Sequence, residues 1–192
     1  ARNNGSTGTM TVDGTGSAFT SRAREFRLAD DSGPGGTLNI TNGGVVNFRS
    51  TNEAGAQVTG NFGIAQNNSA VGTINMDNGT LNITAWSMFS AWEDNAATSV
   101  ATINATNSAI NLLPGPDHGR LLWGRRGEAT INQSGGSFLV SNWAVLGVEA
   151  GGRGNWNMFD GATAQLNNEL NVGRAGGIGT VDGLKVTVFG PV

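Results

Sequence analysis

One short phrase recurs along the whole chain. Gly-Thr-Leu-Asn-Ile at Gly36 returns as Gly-Thr-Ile-Asn-Met at Gly72, and looser copies begin at Gly8, Ala101, Ala129, Gly154 and Gly179. The spacings are 28, 36, 29, 28, 25 and 25 residues. That period is too short for independent domains. It suits one coil of a solenoid, whose repeats cannot bury their apolar faces alone and do so against their neighbours.

Within each repeat the apolar and polar residues alternate with period two, and Gly, Asn, Asp or Ser separate the alternating segments. That pattern marks half-buried strands, and no stretch carries the 3.6-residue apolar stripe of a helix. Three segments recur per repeat. The first predicts an inward column of Met10, Leu38, Ile74, Ile103, Ile131, Trp156 and Val181. The second supplies Val46, Leu81, Ile110 and Phe138. The third ends on a large apolar residue followed by a small one: Leu28-Ala29, Ile64-Ala65, Phe89-Ser90, Trp123-Gly124, Leu146-Gly147 and Val172-Gly173.

Stacked in register, these segments make an all-β fold, a parallel β-helix with three strands per coil and about six to seven coils of 25–36 residues. A single domain over residues 1–192 accounts for the pattern. The eight extra residues of the longest repeat are expected as a surface loop around Ser50 to Thr59.

Composition narrows the function classes. The chain holds 31 glycines but only 13% charged residues, one lysine (Lys185), one histidine (His118), no tyrosine and no cysteine. Without cysteine there are neither disulfide staples nor thiolate metal sites. A net charge of -3 gives no basic footprint for nucleic acid. No apolar run reaches the length of a membrane span. The Asn/Thr/Gly-rich, lysine-poor make-up leans towards an extracellular protein.

The GTLNITNGG start at Gly36, the LNVG strand end at Leu170 to Gly173 and the GGIGT linker at Gly176 to Thr180 resemble exported bacterial β-solenoids: the passenger domains of autotransporters and the strand repeats of large surface proteins. The resemblance covers nearly the whole chain. It implies a right-handed β-helix, export, and roles in adhesion or surface layers. Its motifs are strand and turn residues, so it transfers no catalytic residue.

Candidate binding residues come from the third segment. Counting outward positions back from its apolar end brings Trp86, Met88, Leu122, Trp143 and Val145 onto one face of the middle coils. Such a contiguous apolar patch marks a contact surface. Arg120 would sit between two of its tryptophans as a cation–π ladder. Sugar stacking on Trp86 and Trp143 is the variant of that reading. A second outward pair of columns is Thr9, Thr37, Thr73, Thr102, Thr130 and Thr180, followed two residues on by Thr11, Asn39, Asn75, Asn104, Asn132, Asn157 and Asp182. Stacked Asn amides are expected to bond along such a ladder.

Catalytic chemistry finds little support. His118 lies in a loop beside Asp117 with no serine partner, and Glu93 and Asp94 near Arg125, Arg126 and Glu149 read as an ion-pair ladder before an active site. No cofactor and no metal are expected. Asn67 and Asn78 are candidate glycosylation positions in Asn-x-Ser/Thr triplets.

The sequence shows no capping helix at either end and its last repeat stops before a third segment, as expected either of a piece of a longer solenoid or of a subunit completed by the start of another copy. The expected contacts between ends involve Met10, Val12, Val181, Val186, Val188 and Phe189. Together these features predict a non-enzymatic extracellular structural protein, a filament or adhesive subunit whose partner is a further copy of itself joined head to tail. The alternative is a carbohydrate-binding or polysaccharide-cleaving β-helix, with a glycan as partner.

Overall fold

The computed structural model describes residues 5–30, 33–52, 54–67, 69–92, 98–114, 119–183 and 186–188, with only the backbone of 33, 34 and 186. It is an all-β solenoid of stacked coils with three parallel sheets, and no α-helix occurs among the described residues.

Strands are numbered in chain order. The first sheet stacks β1 (Thr7–Asp13), β4 (Gly33–Thr41), β7 (Ala70–Asp77), β10 (Val100–Thr106), β13 (Glu128–Ser134), β16 (Arg153–Phe159) and β19 (Ile178–Asp182). The second stacks β2 (Ala18–Ala23), β5 (Val45–Ser50), β8 (Thr80–Thr84), β11 (Ala109–Leu112), β14 (Ser137–Val140), β17 (Thr163–Leu166) and β20 (Val186–Val188). The third stacks β3 (Phe26–Arg27), β6 (Asn61–Ile64), β9 (Ser87–Ser90), β12 (Arg120–Trp123), β15 (Ala144–Leu146) and β18 (Leu170–Val172).

Register follows the repeated phrase. Met10 pairs with Leu38, Leu38 with Ile74, Ile74 with Ile103, Ile103 with Ile131, Ile131 with Trp156 and Trp156 with Val181. A slip of one residue would turn the whole column outward, so burial itself holds the register. The five inner members of this column are fully buried. Aromatic side chains fill the wider parts of the core. Phe26 stacks on Phe62 at 4.7 Å, and Phe138 meets Trp156 edge-on at 4.9 Å. The one polar atom of Trp156 is satisfied inside: its Nε1 donates to Gln133 Oε1 at 3.2 Å, and Gln133 Nε2 donates to the Thr163 carbonyl at 3.1 Å.

Outward on the first sheet, the expected amide ladder is present. Asn75 Nδ2 donates to Asn39 Oδ1, Asn104 to Asn75, Asn132 to Asn104 and Asn157 to Asn132, at 2.9–3.1 Å. A second ladder, not anticipated, climbs the second sheet from Asn111 to Asn82 to Asn47. The extra residues of the longest repeat form the expected loop, closed by an antiparallel bridge between Thr51 and Gln57.

The small residue after five of the six third-sheet strands has a backbone cause. The chain turns there through the left-handed region at Ala65 (φ 52°), Ala91 (φ 52°), Gly124 (φ 69°), Gly147 (φ 68°) and Gly173 (φ 77°). A larger side chain is disfavoured in that conformation. This corrects one alignment. Ala91 occupies the turn, so Ser90 matches Ile64, and Phe89 matches Gly63 and Leu122. Phe89 therefore points outward and Met88 points in, where it is 1% exposed within the main core. The expected open apolar patch loses Met88 to that shift of one residue.

Candidate binding cleft on the third sheet

Correct register places Arg27, Gly63, Phe89, Leu122, Val145 and Asn171 in one outward column of the third sheet. Its middle is apolar, and leaving a Phe, Leu or Val side chain in water forfeits about 1.5–3 kcal/mol each. The chain does not leave them there. Phe89, Leu122 and Val145 are 0–3% exposed and form a second small core with Val148. Leu122 and Val145 are thus outward but covered, contrary to the exposed patch expected from sequence, because Trp86, Trp92 and Trp143 pack over them.

The backbone at the strand ends positions those rings. Trp86 sits in the bend before β9, its N–H donating to the Gly60 carbonyl at 2.9 Å. Trp143 precedes β15, and its carbonyl accepts from the Leu121 N–H at 3.1 Å. Trp92 follows β9 and stands edge-on to Trp86, with ring centroids 6.3 Å apart.

Guanidinium groups lock the tryptophans in place. Arg120 lies between two of them, its Cζ 4.9 Å from the Trp86 ring and 5.2 Å from Trp143. Arg125 lies 4.2 Å over Trp92, donates from Nη1 to the Trp92 carbonyl at 2.6 Å, and donates from Nε to Glu149 Oε1 at 2.6 Å. Arg126 Nε takes the other Glu149 oxygen at 2.7 Å. Partial burial alone would raise the Glu149 pKa; the hydrogen bonds from Arg125 and Arg126 outweigh it and hold the carboxyl below its ordinary value.

Together these residues border an open cleft of about 330 Å³, lined by the three tryptophans with Leu122 and Val148. Arg125, Glu149 and Arg174 supply its polar side, and Ala175 completes the rim. Arg174 follows Val148 one coil on, its N–H donating to the Gly147 carbonyl at 2.8 Å. Aromatic surface with a few fixed polar groups is the usual make-up of a small-molecule pocket. Among the described residues, no group of three or more His, Cys, Asp or Glu could hold a metal ion.

Other predicted residues lie elsewhere. Met10 and Val181 are half-buried at opposite ends of the solenoid, Val12 is 7% exposed and Val188 45% exposed. The side chain of Val186 and all of Phe189 lie outside the described residues, as do Glu93, Asp94, Asp117 and His118. Asn67 is half-buried and donates to Asp30 Oδ1 at 3.2 Å, while Asn78 is exposed in a turn with φ 53°. Trp92, Val148 and Arg174 were not singled out from sequence. Aligning the third repeat on Ser90-Ala91 would have drawn in Trp92.

No protein-family model matches the chain, and comparison with curated proteins and with solved structures gives no match.

Proposed function

We propose that the protein is a non-enzymatic, extracellular structural solenoid whose copies stack end to end into a filament or surface assembly. One observation carries the reading. The three sheets add strand to strand in register along the whole stack, and their inward columns are more exposed in the first and last described coils than in the middle ones. Val172 and Val188 are 47% and 45% exposed at one end, and Met10, Phe19 and Phe26 are only half-buried at the other. A coil contributed by another copy would bury this apolar surface and continue the in-register strand pairing of the sheets. Export is supported by the lysine-poor, Asn/Thr/Gly-rich composition.

Light scattering with negative-stain microscopy over a concentration series tests the proposal. Rods of constant width whose length grows with concentration are expected. A monomer at every concentration overturns it.

The cleft supports a second reading, saccharide binding on the side of the rod. Sugar rings present apolar C–H faces that fit the negative face of an indole ring. Trp92→Ala with Trp143→Ala should abolish saccharide binding and leave rod formation intact, since neither residue lies at an end. Retained binding in the double variant refutes this use of the cleft.

A further inference from the structure

The first sheet has an outward face that takes no part in the cleft. Two of its columns run side by side through the five inner coils. One holds Thr37, Thr73, Thr102, Thr130 and Asn155, and the other is the amide ladder from Asn39 to Asn157. Because all five strands pair in register, the two columns form a grid. Its spacings are about 4.8 Å from strand to strand and about 6.6 Å between columns, two residues along a strand. None of the ten positions carries a charge. On these five strands ionisable side chains occur only in the flanking columns, at Asp77, Glu128 and Arg153.

The grid is also stiff. From Asn75 to Asn157 each amide donates its Nδ2 to the Oδ1 of the coil before, at 2.9–3.1 Å. That bond fixes the amide plane and leaves one N–H and one lone pair of each unused by the ladder. Threonine is β-branched and restricted at χ1, so the hydroxyls and methyls of the neighbouring column hold their places too.

We propose that this face binds ice. A rigid, neutral grid is matched by a partner that is itself a rigid, neutral lattice of hydrogen-bonding groups. Water oxygens joined tetrahedrally by bonds of about 2.75 Å place next-nearest oxygens about 4.5 Å apart. The strand spacing lies within about 0.3 Å of that distance. Electrostatically the two surfaces are alike, each an array of fixed dipoles without net charge. A charged side chain would instead hold its own hydration shell in the gap, and stripping it is costly. Pre-ordering favours docking, because side chains already fixed lose little freedom on contact. No aromatic ring occupies any of the ten positions, which sets this face apart from the tryptophan-lined cleft.

The test is partition of the full chain into ice grown slowly from dilute solution, with microscopy of crystal shape. Wild type should enter the ice and give faceted crystals. Thr102→Lys puts a charge at the centre of the grid and should reduce both effects to those of plain buffer. Thr73→Lys does the same one coil away, so the outcome does not hang on one variant folding. Ser137→Lys adds the same charge on the exposed face of the second sheet and should behave as wild type. Circular dichroism establishes that each variant is folded. Wild type excluded from ice, with rounded crystals, overturns the proposal. Full activity in the folded threonine variants, or equal loss in Ser137→Lys, overturns the assignment to this face.

Discussion

Arg120→Met is the sharpest probe of how the tryptophan cover is held. The substitution keeps an unbranched apolar stem and removes the guanidinium that lies 4.9 Å from Trp86 and 5.2 Å from Trp143. Each face of a partly exposed cation–π contact contributes about 0.5–1 kcal/mol, so losing two should cost about 1–2 kcal/mol. Arg120→Lys keeps the charge but not the planar group and should fall in between. Urea unfolding is the assay, followed by both tryptophan fluorescence and circular dichroism. The two probes must coincide before a free energy is extracted, because stacked coils can unfold piecewise. A double-mutant cycle with Trp143→Leu then isolates one of the two contacts. A coupling within about 0.3 kcal/mol of zero refutes the ladder as a stabilising element.

Three further outcomes are expected. Gly147→Ala should destabilise by at least about 2 kcal/mol more than Gly161→Ala in thermal melts. Both glycines have positive φ, but a Cβ on Gly147 would lie 2.2 Å from the Ile178 carbonyl oxygen, whereas Gly161 has nothing within 4 Å; equal effects would contradict the packed turn. Trp156→Ala empties a fully buried site and orphans a Gln133 bond, so a loss of about 3–5 kcal/mol is expected, and less than about 1 kcal/mol would mean the coils collapse around the gap. Glu149 has a folded pKa below its ordinary 4.5, so its ionised form favours folding. Its contribution is full above the unfolded value and is lost as pH falls through the lowered folded one. Wild type should therefore lose its stability advantage over Glu149→Gln on acidification below about pH 4.5, and a pH-independent difference between the two sinks the assignment.

Most of the fold was legible because the same physical demand is written seven times. Alternation fixed which residues of the first two segments face in, and Met10 to Val181 pair as the phrase implies. The Asn ladder was legible for the same reason. The third segment misled at Phe89, because the rule of a large residue before a small one selects Phe89-Ser90. The structure breaks that rule here: the small Ser90 takes the inward place of Ile64, and the left-handed turn falls at Ala91. From there the error spread to Met88 and to the expected exposed patch. The cover over Leu122 and Val145 was illegible for a different reason. Trp86, Trp92 and Trp143 lie at strand ends, where no periodicity constrains direction, and their placement depends on arginines one coil away. Arg120 between Trp86 and Trp143 was visible in the spacing.

End-to-end stacking makes a prediction at the level of single residues. Thr11 and Asp182 are the outer members of one outward column that runs through Asn39, Asn75, Asn104, Asn132 and Asn157. If β19 of one copy pairs in register with β1 of the next, Asp182 comes to lie beside the neighbour's Thr11, at the strand spacing of about 4.8 Å that a disulfide spans. The chain has no cysteine, so the Thr11→Cys, Asp182→Cys double variant introduces the only thiols. The decisive measurement is the mass distribution of this variant after mild oxidation, on a denaturing non-reducing gel. A ladder of covalent oligomers, absent when Val181→Cys on the opposite face replaces Asp182→Cys, is the predicted result. A single band at the monomer mass of 19.7 kDa, or equal ladders from both variants, would contradict stacking in register.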